Sequence, residues 1–153
     1  MGDHVLGGGF YATRLDRDLR QKAGYVYTIQ NSLQAGQTRA TYSVEYGCDP
    51  KNVSKARAMI EQELRDIRQN KVTDAELQQA KALLLRQIQL SEASEDSVAG
   101  GYIGRARIGL PLDEPANAAR KYFNTNAEEV RAAFSKFVDP ANFVQVVRGP
   151  APQ

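Results

Sequence analysis

The feature that most constrains this chain is a pair of consecutive amphipathic helices in its middle. Val53, Ala56, Ile60, Leu64 and Ile67 recur at three to four residues, one apolar stripe on a long helix that Asp49–Pro50 opens as cap and first helical residue. Thr73 with Glu76 three residues later forms a capping box, and the helix it starts turns Leu77, Ala80, Leu84 and Ile88 inward before ending near Glu92. Two such stripes need an apolar layer to bury against. The spacing upstream supplies it as strands, with Tyr25–Ile29 and Arg39–Tyr46 rich in β-branched and aromatic residues. Turn chemistry over Asn31–Gln37 makes an antiparallel pair, with Tyr42, Val44 and Tyr46 on one face and Thr41, Ser43 and Glu45 on the other.

A helix from about Phe10 to Lys22, stopped by Gly24, precedes the strands, with Phe10, Leu15 and Leu19 on one side. Beyond the central pair, the polar run Ser91–Ser97 weakens the helix before a Gly-rich stretch from Val98 that ends at Leu110–Pro111. A short helix follows around Pro115–Phe123. A second capping box, Thr125 with Glu128, starts a helix facing inward through Val130, Ala133, Phe134 and Phe137, and Asn142–Val147 closes as a third strand. The order of helix, two strands, several helices and one strand is an α+β layer, an antiparallel sheet against long helices, not a repeating strand–helix–strand design. Residues 1–150 read as one domain with 151–153 as a tail. Three strands are thin cover for so many helices, and the chain opens almost inside its first helix, so the natural domain is expected to begin earlier.

Composition excludes more than it selects. The 153 residues carry one cysteine and one histidine, which leaves no disulfide framework, no multi-cysteine metal motif and no His-rich site. A net charge of +2 falls short of a dedicated nucleic-acid domain, and no apolar run approaches the roughly 20 residues of a bilayer span. A lone cysteine fits both cytoplasm and periplasm, the periplasm being the expected one.

The segment from Leu6 to Ile29 resembles the C-terminal half of pitrilysin-type zinc peptidases, the inverzincins. Leu6–Gly7–Gly8, Thr13–Arg14–Leu15, Leu19–Arg20, Gly24 and Tyr27 fall in the family's order, with Thr13 where Ser is usual. The similarity continues through Asp49–Asn52, Val72–Leu77, Gly109–Asp113, Thr125–Val130 and Arg148–Gly149–Pro150, and so covers nearly the whole chain. The family's catalytic signature is H-x-x-E-H, two zinc-binding imidazoles with the inner Glu as base. One histidine cannot make it. The resemblance therefore implies the metal-free half, lacking its first strands and inactive alone. It implies no cofactor here, zinc in a missing or partner half, and peptide as substrate.

The resemblance also implies two site residues, Arg20 and Tyr27, which the metal-free half contributes across the chamber. A guanidinium and a phenol are donors that need no change of protonation, suited to orienting a peptide and stabilising an oxyanion. The bland alternative is a helix-end Arg bonded to carbonyls and a Tyr packed in the sheet, and Tyr25 is the alternative tyrosine. A catalytically inactive structural subunit of the same fold is the competing function. An unprotected edge at Tyr25–Ile29 is open to an added peptide strand or to a second copy, making a homo-oligomer an expected partner.

Weaker signals resolve blandly. Gly7–Gly9 lacks the spacing and the Lys-Ser/Thr of a phosphate loop, so close packing explains it better. Gly101–Tyr102–Ile103–Gly104 before Arg105 and Arg107 has the outline of an RNA-clamping GXXG loop, but a helix contact through small residues is the reading preferred, with no nucleic-acid partner. Cys48 reads as a small buried hydrophobe, and His4 sits in the opening segment with no ligand set around it.

Overall fold

The computed structural model describes residues 1–8, 13–36 and 38–151. Two π-helical segments, His4–Gly8 and Asp16–Lys22, lead into strands β1 (Thr28–Ala35) and β2 (Ala40–Gly47). Helices α1 (Val53–Gln69), α2 (Asp74–Ser91), α3 (Glu95–Arg107), α4 (Glu114–Asn124) and α5 (Ala127–Phe137) follow, with a 3-10 turn at Pro140–Asn142. The architecture is α+β. Its core gathers Leu6, Leu15 and Leu19 from the opening segments, Ala56, Ile60, Leu64 and Ile67 from α1, Leu77 and Ala80 from α2, and Val130 and Phe134 from α5.

The helix stripes lie where the spacing puts them. Val53 and Ile88 are the exceptions, each half-buried at a helix end. The capping box of α2 is complete, the Glu76 N–H donating to Thr73 Oγ1 at 3.3 Å and the Thr73 N–H to Glu76 Oε2 at 2.8 Å. The second box falls one residue later than expected, on Asn126 and Glu129. Thr125 is occupied: its hydroxyl donates back to the Lys121 carbonyl at 2.7 Å and closes α4. On α5 only Val130 and Phe134 are buried, while Phe137 is 75% exposed.

Three sequence-based expectations about strands are corrected. β1 starts at Thr28, not Tyr25, because the Tyr25 N–H donates to the Leu19 carbonyl at 2.9 Å and ends the preceding helix through Gly24 at φ 62°. The residues expected to turn are strand: Asn31 pairs with Val44, Ser32 with Ser43 and Leu33 with Tyr42, and the two serine hydroxyls meet at 3.0 Å. The Gly36 N–H donates to the Arg39 carbonyl at 2.8 Å beyond the end of β1, and Gln37, also expected in the turn, lies outside the described residues. The third strand is absent from the sheet, which among the described residues has two strands. Asn142–Val147 holds Phe143 half-buried and leaves Val144 and Val146 about nine-tenths exposed, with no ladder to join. The alternation of β2 holds: Tyr42, Val44 and Tyr46 pack on the core.

The opening helix also departs from an α-helix. Phe10 lies outside the described residues, and from Asp16 onward the turns are π-helical. Gly7 packs where expected: a Cβ there would stand 2.4 Å from Asn31 Oδ1 and 3.0 Å from Leu15 Cδ1. Asn31 is buried at 5% exposure, and its Nδ2 donates to the Asp3 carboxylate at 2.6 Å and to Tyr42 Oη at 2.8 Å.

Candidate functional site

The resemblance singled out the Thr13–Arg14–Leu15 triplet without giving it a role, and its arginine organises the site's foundation. Thr13, Arg14 and Leu15 are all buried. Arg14 Nε and Nη2 grip Glu76 at 2.7 and 3.0 Å while Nη1 donates to Asp66 Oδ2 at 2.6 Å. One guanidinium thus clamps the end of α1, the start of α2 and the segment leading to Arg20. Burial pushes the Glu76 carboxyl up, but the bonds from Arg14 and the Thr73 backbone outweigh it and hold the group at about 2. The sequence signal available was an arginine between two residues bound for the core.

Arg20 stands in the last turn of the Asp16–Lys22 segment with its side chain 45% exposed. Among the described residues it makes one long contact, Nη1 to Asp16 Oδ1 at 3.3 Å, and Asp16 is itself held by Gln21 Nε2 at 2.6 Å. The chain then reverses through Gly24. Tyr27 precedes β1, anchored by its N–H to the Gly47 carbonyl at 2.7 Å, and is 65% exposed. Its phenol donates to Asp49 Oδ1 at 2.8 Å, and that bond holds the proton on and raises the phenol above its ordinary 10.

Asp49, expected to cap α1, makes no side-chain cap bond. Its carboxylate serves Tyr27 instead. Tyr25 is unlike Tyr27: it is half-buried against the core with Lys55 Nζ 5.8 Å from its ring centroid. The two expected residues therefore both reach solvent, each backed by its own carboxylate and not by the other. Arg20 has donors to spare, whereas the one proton of Tyr27 goes to Asp49 and its oxygen faces outward as an acceptor. For Tyr27 to donate to a carbonyl, it must exchange Asp49 for that carbonyl.

A second feature lies elsewhere. A cleft of about 1300 Å³ opens between the hairpin and α4–α5, floored by Tyr42, Phe134 and Phe143 and bordered by Arg120, Lys121 and Glu129. Tyr42 meets Phe134 edge-on, centroids 6.1 Å apart. Nothing in its sequence periodicity marked this cleft, because its residues come from four separated segments, the chain start, the hairpin, α4–α5 and Phe143.

Among the described residues no group of three or more His, Cys, Asp and Glu side chains converges. His4 bonds Gln87 through Nε2 at 3.2 Å, and burial, then the chain's amino terminus, lower its pKa. Cys48 is half-buried, its thiol pushed up by burial and then by Asp49. No helix among the described residues is long and apolar enough to cross a membrane.

Comparison with known proteins gives the family and the fold. The family described as "Peptidase M16 inactive domain" matches residues 2–84, just over half of the chain. A crystal structure of a peptidase M16 inactive domain from Pseudomonas fluorescens is similar with TM-score 0.82 and 24% identity, covering 91% of this chain and 33% of that one. A conserved protein from Enterococcus faecalis has TM-score 0.75 and 22% identity over 88% of this chain and 31% of its own. The periplasmic protease PqqL from Escherichia coli has TM-score 0.69 and 13% identity over 81% of this chain and 14% of its own. This chain thus spans a third or less of the length of each of the three. No curated protein sequence matches.

Proposed function

Because the chain belongs to the peptidase M16 family, the pitrilysin-type peptidases, as its inactive domain, we propose that it is the non-metal half of a zinc metalloendopeptidase. In this reading it closes the chamber over the partner half and positions peptide substrate there with Arg20 and Tyr27. Zinc belongs to that partner half, in the same polypeptide or a separate subunit, and supplies the activated water; no step runs through this chain's own ligands. The compartment proposed is the periplasm, by analogy with the periplasmic protease PqqL.

The observation that carries the reading is the contrast between two arginines six residues apart. Arg14 is buried and satisfied on three nitrogens, as a structural arginine is. Arg20 is half in solvent with one long bond, so its planar fork keeps donors for a carbonyl or a carboxylate. Tyr27, exposed on the far side of the Gly24 reversal, offers an acceptor for a substrate N–H, or a donor once its bond to Asp49 is exchanged.

The test pairs this half with a metal-bearing half and compares wild type with Arg20→Ala and Tyr27→Phe. Loss of one positioned donor at a developing oxyanion lowers kcat by roughly 10²–10³-fold, with circular dichroism of each variant unchanged. Turnover unaltered in folded complexes would defeat the catalytic-support role. The competing reading, an inactive structural subunit, is favoured by the commitment of the Tyr27 proton to Asp49. It predicts that both substitutions leave turnover alone while removal of this half abolishes it.

A further inference from the structure

Granting the function proposed above, on which this inference rests, one phenol proton has two acceptors competing for it. Tyr27 Oη donates to Asp49 Oδ1 at 2.8 Å, and a substrate carbonyl needs that same proton. The competition is unequal. A carboxylate is ionised at neutral pH, and a hydrogen bond to an ionised acceptor is roughly twice as strong as one between neutral groups. The phenol shows the hold, since its bond to Asp49 raises it above the ordinary 10. Asp49 has nothing else to satisfy it. It lies between β2 and α1, yet its side chain makes no cap bond, and among the described residues its carboxylate has no hydrogen-bond partner but Tyr27. Oδ2 is left unpaired and open to solvent. Nor does a cation of this chain, among the described residues, pair with it. Arg20 is on Asp16 at 3.3 Å, Lys55 Nζ stands over the Tyr25 ring, and Lys51, two residues on, is exposed and forms no ion pair.

Neutralising Asp49 tips the competition toward the substrate. Water does not do this, because hydration leaves the charge in place. A proton does it only in the ordinary carboxylate range, about pH 4. At neutral pH a positive charge is needed. We propose that the peptide brings it: the substrate carries an ammonium or guanidinium group that pairs with Asp49 Oδ2 and releases the Tyr27 O–H to the scissile carbonyl. Asp49 is then the residue that selects the substrate, and Tyr27 turns the selection into rate. The pairing strengthens as the chamber closes and water leaves. Two sources offer this charge, a basic side chain near the scissile bond and a free amino terminus. An exposed ion pair by itself is worth at most about fivefold in affinity. A larger effect, carried by kcat and not by KM, marks the release of a donor that acts in the transition state.

The test uses this chain paired with a metal-bearing half and peptides that differ by one group. Lysine is set against norleucine at each position flanking the scissile bond, and a free amino terminus against an acetylated one. Wild type is expected to turn over the charged member of one pair with kcat at least about tenfold higher. The pair that responds identifies the source, side chain or terminus. Asp49→Asn should close the gap by raising kcat for the neutral peptide, and Tyr27→Phe should close it by lowering kcat for the charged one. A structural defect would lower both, so these opposite directions separate release of the phenol from damage to the fold. Equal kcat within every pair, with Arg20→Ala and Tyr27→Phe still lowering turnover, overturns the inference and leaves the proposed function standing. A gap that survives Asp49→Asn or Tyr27→Phe overturns it too and assigns charge selection to another group. Turnover untouched by Arg20→Ala and Tyr27→Phe for every peptide defeats the proposed function, and the inference falls with it.

Discussion

Replacing Arg14 with Met removes the clamp while keeping the volume of an unbranched side chain. Glu76 goes from an ordinary 4.5 to about 2 in the folded chain, and at about 1.4 kcal/mol per unit that corresponds to about 3 kcal/mol. The Glu76 side chain keeps 20% of its exposure and the Asp66 side chain 38%, so water screens part of the attraction and rehydrates both carboxylates once Arg14 is gone. Part of the shift also belongs to the Thr73 bonds, which the substitution leaves in place, so the expected loss is about 1–2 kcal/mol, below what breaking a fully buried pair costs. Because the folded group titrates below the unfolded one, its stabilisation is complete above about pH 4.5 and disappears as pH falls toward 2. Urea unfolding followed by circular dichroism at pH 7 and at steps down to 2.5 gives both numbers. The wild-type minus Arg14→Met difference should be largest at neutral pH and shrink by at least half at the acid end, with Asp18, held near 2 by Arg17 in both proteins, cancelling. A difference under about 0.5 kcal/mol at pH 7, or one that does not change with pH, would refute the assignment of Arg14 as the clamp.

Gly7→Ala and Gly24→Ala separate crowding from backbone strain. The first drives a methyl into Asn31 and Leu15 and should lower stability by about 1–3 kcal/mol. The second meets nothing within 4 Å but sits at φ 62°, so about 1 kcal/mol is expected in the same thermal melts. Asp49→Asn removes the carboxylate that holds the Tyr27 proton, and an ultraviolet pH titration should show one tyrosine falling back toward 10. The Cys48 thiol should follow only slightly, since burial is its larger cause.

Periodicity found the parts of this fold that are held by one stripe of side chains. Ala56, Ile60, Leu64 and Ile67 needed no knowledge of what they would meet, and the Thr73–Glu76 box follows from local backbone chemistry alone. β1 failed for the opposite reason. Asn31 and Ser32 look like turn residues, and they sit in a ladder because Ser43 and Tyr42 across it, and Asp3 beneath it, satisfy them. Asn142–Val147 has strand composition without a strand beside it, and composition does not report neighbours. At the site, residue chemistry alone did not choose Arg20 and Tyr27 over Tyr25; the family resemblance did. The work of Arg14 and Asp49 was hidden because each looked like something simpler, a helix-face cation and a helix cap.

The wide turns at Asp16–Lys22 bear on which insertions and deletions this chain can tolerate. Gln21 reaches back five residues to Asp16, and the Ala23 N–H five residues to the Asp18 carbonyl. A π turn is an α turn lengthened by one residue. Losing residue 18 would let the segment tighten to α pitch at little local expense, with the residues from there to Gly24 turned by about 100° and Gly24 taking up the change. Arg14 would keep its carboxylates, the domain would still fold, and Arg20 would point somewhere else. The length of this short stretch is thus a setting for where the guanidinium aims, one that a substitution scan would pass over and a single-codon deletion would expose.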